Sequence, residues 1–231
     1  MRSKIYILSI AFLLSLAFSG TSLAAETIAV VLKIKGKVSI TRGNLASSIT
    51  LKRGSRLEDG DKLKTDKSSY AALRFIDDAS LLRIRANSTC TIKGKKDKNK
   101  VVKNVVLEVG TILAKVTKQR GKFEISTPTS VASVKGTEWI TEQRFNGGTF
   151  FYGLEGVVEI TSDGGTALLH EEETGYVANR ESAPIVQPTK DGTVPTFDED
   201  LGDGADFFEF EFERDDGQKK LLEFMAIPKE Q

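Results

Sequence analysis

From Thr27 onward the chain alternates apolar and polar positions with period two, in short runs broken by Gly, Asp or Asn. That period sets successive side chains on opposite faces of a strand, so it predicts sheets with one buried face. Residues 28–34 and 37–41 bracket Gly36. Leu51, Leu57 and Leu63 are spaced around Gly54 and an Asp59-Gly60-Asp61 turn. Residues 70–76 set Ala71, Leu73 and Phe75 on one face with Arg74 on the other. After an Asp77-Asp78-Ala79 turn, Leu82, Ile84 and Ala86 continue the inward face, while Arg83 and Arg85 point out.

Residues 94–100 (GKKDKNK) read as a solvated loop between strands. Strands are then expected at 101–108 and 111–117, joined at Val109-Gly110. Phe123 and Ile125 face inward, and Thr127-Pro128 stops that strand because Pro has no donor for a ladder. A small apolar run at 131–134 leads through Lys135-Gly136-Thr137 into a strand with Trp139 and Thr141 on one face. Asn146-Gly147-Gly148 and Asp163-Gly164-Gly165 mark hairpins, Leu154-Glu155 is expected as a turn between Gly153 and Gly156, and residues 174–178 close the domain. No helical period is sustained, so residues 26–178 are expected to form an all-β domain, a solenoid-like or sandwich-like stack of short strands.

The remainder, 179–231, differs. Residues 181–196 are rich in Pro and Thr and read as a linker. Residues 208–213 (FEFEFE) alternate strictly, as an edge strand or an acidic-aromatic segment that orders on contact, and 219–226 are weakly helical. Charge sharpens the division. Residues 26–170 carry 25 Lys and Arg against 15 Asp and Glu, a net of +10; residues 171–231 carry 6 against 17, a net of −11. The tail is therefore expected to pack back on its own basic domain.

The N-terminus changes the meaning of that basic character. Arg2 and Lys4 precede an apolar run over 5–18, and Ser22 and Ala24 fit a small-x-small cleavage pattern. Residues 1–25 are expected to be a signal peptide, cut after Ala24 or Ala25, because the run is shorter than the ~20 residues that span a membrane. The mature chain is expected in the periplasm or outside the cell, not membrane-spanning and away from nucleic acid.

Candidate chemistry is sparse. Cys90 is the one cysteine, so it forms no internal disulfide and is expected as a small buried strand residue. His170 is expected at a strand end on the surface. Asp77 and Asp78 are the best carboxylate pair, but adjacent strand residues face opposite ways and a β-turn is the simpler role. Residues 198–204 (DEDLGDG) lack calcium-loop spacing. No catalytic, cofactor or metal residue is assigned.

The ordered motifs carry a resemblance. They begin with Gly36-x-Val38 and Leu51-x-x-Gly54-x-x-Leu57-x-x-Gly60-Asp61-x-Leu63-x-Thr65. Ala71-x-Leu73-x-Phe75, Asp78-Ala79-Ser80-x-Leu82-x-Ile84 and Leu107-x-x-Gly110 follow. Phe123-x-Ile125-x-Thr127-Pro128, Ala132-x-Val134-Lys135-Gly136-Thr137-x-Trp139 and Gly156-x-Val158 complete them. Together they resemble a FecR-like domain over residues 28–177. The resemblance marks Gly60, Asp61, Thr127, Pro128, Lys135, Gly136, Thr137 and Trp139 as structural motif residues. It implies a solenoid-like periplasmic module. In the founding members that module belongs to a transmembrane regulator, which senses a TonB-dependent receptor during ferric-siderophore or ferric-citrate uptake and signals to a sigma factor. This sequence differs in having no cytoplasmic helical domain ahead of its hydrophobic segment, and in having alanine at 79 where glycine is usual. The expected function is a non-enzymatic exported module that binds an envelope protein or polysaccharide. The alternatives are a periplasmic signalling partner in TonB-receptor regulation and, third, a polysaccharide-acting β-solenoid enzyme using Asp77, Asp78 or Glu138.

Overall fold

The computed structural model describes residues 26–43, 47–97, 100–116, 122–134, 136–197, 206–213 and 219–226. The strands in chain order are β1 (Thr27–Lys35), β2 (Val38–Thr41), β3 (Ser48–Thr50), β4 (Arg56–Glu58), β5 (Asp61–Thr65), β6 (Tyr70–Phe75), β7 (Leu81–Ile84), β8 (Thr89–Asp97) and β9 (Lys100–Lys115). They continue with β10 (Phe123–Ser126), β11 (Val131–Val134), β12 (Glu138–Gln143), β13 (Thr149–Glu155), β14 (Val158–Ser162), β15 (Gly165–Leu169), β16 (Glu173–Val177) and β17 (Ile185–Pro188). A separate hairpin pairs β18 (Asp206–Glu213) with β19 (Lys219–Ala226).

The first seventeen strands form two layers that share β9. Layer I runs β4-β1-β6-β7-β9-β12-β13-β16-β17. Layer II runs β3-β2-β5-β8-β9-β10-β11-β14-β15. All pairings are antiparallel except β9–β10. The all-β expectation holds, and one core lies between the layers. Its inward residues alternate along each strand as the sequence pattern requires, from Leu57, Leu73, Phe75 and Ile112 in layer I to Leu63, Ile92, Val105 and Phe123 in layer II. Three rings link the layers edge to face: Phe75 lies 5.5 Å from Phe123, and Phe123 lies 5.9 Å from Trp139.

Glycine sits where the chain changes layers. Gly36 separates β1 in layer I from β2 in layer II, at φ +70°. A Cβ there would lie 2.5 Å from the Ser69 hydroxyl, which instead accepts the Lys37 amide at 2.9 Å. Gly110, at φ +110°, repeats the device inside β9: a Cβ would lie 2.5 Å from the Ser88 Cα, and the Ser88 hydroxyl accepts the Thr111 amide at 3.1 Å. Both corners need a residue with no side chain and φ > 0.

Several local expectations change. Residues 101–108 and 111–117 were expected as two strands; Gly110 kinks one continuous strand instead, whose first half pairs in layer II and second half in layer I. The lysine-rich stretch at 94–100 is largely ladder, with Lys95 opposite Val102 and Asp97 opposite Lys100, because β8 and β9 zip up to the tip. Gly153 lies within β13 rather than at a turn, where a Cβ would collide with the His170 carbonyl oxygen at 2.1 Å. The sheet continues beyond 178: β17, inside the stretch read as linker, pairs with β16. Residues 219–226 form a strand instead of a weak helix, because pairing with the alternating β18 decides the conformation of a short segment.

Candidate interaction surfaces

The motif residues take architectural places. Gly60 turns the chain between β4 and β5 at φ +83°. The buried Asp61 carboxylate beside it accepts the Glu58 amide (2.8 Å) and both Nε and Nη2 of Arg42 (2.8 and 2.7 Å). Arg42 also reaches Glu58 at 2.5 Å, and its guanidinium pKa is raised, chiefly by the hydrogen bond to Asp61. Pro128 sits in the turn between β10 and β11. Around it Thr127, Thr129 and Ser130 form a hydroxyl network that continues to Thr149 and Gln143, the Thr149 hydroxyl donating to Gln143 Oε1 at 2.5 Å. Gly136 turns at φ +89°, Thr137 is buried beside it, and Trp139 is fully buried with its Nε1 donating to Thr141 at 3.0 Å. Lys135 lies outside the described residues. Sequence reasoning missed the hydroxyl network, because Ser and Thr in a turn carry no periodic signal.

Asp77 and Asp78 do form the expected turn, and the structure adds a partner. Lys103 is fully buried, with its Nζ 2.7 Å from Asp77, in contact with Asp78, and 5.4 Å from the Phe75 ring centroid. The Ser80 amide holds the other Asp78 oxygen at 2.9 Å. This joins the β6–β7 turn of layer I to the layer II half of β9. The clue was present: Lys103 shares the inward parity of Val105 and Leu107. Cys90 is buried as expected, and burial pushes its thiol up to about 12, with Glu108 adding to the rise. His170 is exposed directly after β15. Among the described residues no group of three His, Cys, Asp or Glu is placed to hold a metal ion. Residues 198–204 lie outside them.

The outer faces of the layers are therefore the surfaces open to a partner, and they differ. Across layer II, pairing aligns Thr41, Lys62, Thr91, Val106, Ser126, Val131, Thr161 and Thr166 in one row, none of them buried. Across layer I the aligned row is Arg83, Leu113, Ile140, Tyr152, Thr174 and Gln187. Here Leu113, Ile140 and Tyr152 are buried although they face away from the main core. The segment after β17 crosses them: Val194 and Phe197 pack on this second cluster together with Phe150 and Leu154, and the Arg85 guanidinium carbon lies 5.6 Å from the Phe197 ring centroid. Tyr152 donates to Glu142 at 3.3 Å, and burial, with that carboxylate, pushes its phenol up to about 12. At the margin of the covered part, the Phe150 ring lies tilted 4.6 Å from Tyr176 with the Arg144 guanidinium carbon 4.1 Å from its centroid, and Phe145, in the β12–β13 turn, is 81% exposed.

Residues 61–159 match the family model described as FecR protein. This stretch of the chain is FecR-like. The matched stretch runs from Asp61 in β5 to β14, so it includes the shared strand β9, the Asp77–Asp78–Lys103 cluster and the Trp139 ring stack. Two crystal structures of a candidate anti-sigma factor from Parabacteroides distasonis, at 1.65 and 2.50 Å resolution, are similar to this chain at 12% identity and a TM-score of 0.48. Each likeness covers 56% of this chain and 60% of that protein, so the FecR-like chain spans less than two thirds of its length. No curated protein matches the chain.

Proposed function

We propose that this FecR-like protein is an exported signalling module that works by protein–protein contact, reporting the state of a TonB-dependent receptor of the envelope. The FecR match over residues 61–159 carries the reading, since the family it names is regulatory. Export after removal of residues 1–25 places the module on the side of the envelope where such a receptor presents its signalling domain. The chemistry of layer I favours a protein partner over a polysaccharide. Its outer face and the adjoining β12–β13 turn combine Phe150, Tyr176 and the exposed Phe145 with Arg144, the aromatic and arginine composition that anchors protein interfaces. In this reading the buried charges serve the architecture and no residue has a catalytic role.

The test is direct binding. The purified mature chain is titrated against the signalling domains of the TonB-dependent receptors encoded in the same genome. Saturable binding to one of them, abolished by Phe145→Ala with Phe150→Ala, is the expected result. Absence of binding to every such domain by a correctly folded chain overturns the proposal.

A further inference from the structure

The second apolar cluster of layer I is covered by an unusual element. Residues 189–197 leave the β17 edge, anchored by the Thr189 amide on the Glu172 carbonyl (2.8 Å) and by the hydroxyl contact between Thr174 and Thr189 (2.8 Å). Beyond that anchor the hydrogen bonds among the described residues of the segment are local, from Thr193 back to the Lys190 carbonyl. Among the described residues, no backbone hydrogen bond joins Val194–Phe197 to the sheet. Their hold on it is two half-buried apolar side chains, Val194 and Phe197, and the Arg85 guanidinium beside the Phe197 ring. A groove of about 590 Å³ opens at the base of the strap, between Leu154, Glu171, Glu172 and residues 188–192. Covers held by few contacts and no ladder bonds are the parts of a protein that open most readily.

From this we infer that the outer face of layer I is a docking surface for an extended segment of another protein, and that residues 189–197 occupy it in cis as a displaceable stand-in. The strap itself defines the chemistry of the incoming segment. It presents an aliphatic side chain to Leu113, Ile140 and Tyr152 and, three residues on, an aromatic ring to Arg85. A partner segment with an aliphatic residue followed at the third position by Phe, Tyr or Trp satisfies the same surface. Displacement leaves no broken ladder behind, since the strap contributes no strand there. From Phe150, at the margin of the covered cluster, the Phe150–Tyr176 pair continues the aromatic surface of this face, so a longer segment gains contacts that the strap does not make. The surface rests on the regulatory reading only for what presents the segment.

The experiment uses the strap as its own probe. A fluorescein-labelled peptide of residues 189–197 is titrated, by fluorescence anisotropy, into the full chain and into the full chain carrying Val194→Ser and Phe197→Ser. The variant is expected to bind the peptide at least about tenfold more tightly than the unaltered chain, whose own strap competes. Adding Arg85→Ala, or replacing the Phe of the peptide by Ala, is expected to reduce that binding severalfold. Equal binding by both chains, no binding by the folded variant, or indifference to the peptide's aromatic residue overturns the inference. Hydrogen exchange on the unaltered chain is an independent check. The amides of 194, 196 and 197 should exchange far faster than those of β12 and β13 beneath them, and matched protection would count against a displaceable strap. Because the probe is the chain's own segment, failure here is separable from failure to find a receptor.

Discussion

The two layers are built by one rule and finished by two. In layer II the inward positions Val105, Leu107, Phe123, Ile125, Val158 and Ile160 alternate with outward residues that are mostly polar, such as Glu124 and Glu159, with Val106 an apolar exception, and the outer face is left bare. In layer I the central strands carry consecutive apolar residues: Ile112-Leu113-Ala114, Trp139-Ile140 and Phe150-Phe151-Tyr152. One member of each run faces the shared core and the next faces outward to meet the strap. Strands buried on both faces read as continuous apolar runs. The runs in layer I meet the strap, whereas the comparable run Val105-Val106-Leu107 of layer II leaves its outward Val106 only half-buried, so an apolar run marks a covered face only where another element packs on it. A single alternating pattern identifies a buried face; a departure from it becomes a second buried face only where another element covers the apolar side chains.

That contrast is open to attack, beginning with the seam between the layers. Asp78→Ala leaves the buried Lys103 with only the partly exposed Asp77, and removing one partner from a buried charge cluster costs about 3 kcal/mol or more. Because the cluster ties the β6–β7 turn to β9, urea unfolding followed by Trp139 fluorescence and by far-ultraviolet circular dichroism should shift together. Separate transitions would mean that the layers are independent units. The comparison itself is tested by a matched pair on the two outer faces. Ile140→Ala removes a buried side chain from the covered face and is expected to cost about 2–3 kcal/mol. Thr91→Ala, in the bare row of layer II, should stay within about 0.5 kcal/mol. Similar midpoints for the two variants would mean that the strap does not bury the layer I face in solution.

One further effect has the opposite sign. Ala79 holds φ +61° in the turn between β6 and β7, a conformation costly for any residue with a Cβ. Ala79→Gly should therefore stabilise the chain by about 0.5–1 kcal/mol, the relief of strain outweighing the added freedom of the unfolded state. A lower melting temperature for this variant would show that the turn tolerates alanine without strain. The same residue illustrates how much was legible. The resemblance singled out alanine at 79 as a departure from glycine, and the backbone gives the departure a physical meaning.

Other parts of the molecule were harder to read for definite reasons. The Gly60-Asp61 motif was visible, but Arg42, which clamps Asp61, lies nineteen residues away with nothing local to mark the pairing. Lys103 had the inward parity of its strand, and Asp77 and Asp78 stood out only as a carboxylate pair in a turn, so only the meeting of β9 with the β6–β7 turn brings the three together. Val194 lies in the Pro- and Thr-rich stretch read as a linker and Phe197 directly after it, with no period to join them, so composition marked a boundary where the structure has a strap.

The sequence by itself determined most of the strands between 27 and 177, their inward faces, the turn glycines at 36, 60 and 136 and the FecR-like resemblance, because these depend on parity and backbone conformation within a few residues. Tertiary structure alone decided that β9 is one strand serving two layers, that a lysine would be buried between two aspartates, and that one outer face would be covered while the other stayed bare. Those outcomes depend on which distant surfaces meet, and the free energy of burial belongs to the pair of surfaces in contact, not to either stretch of chain alone.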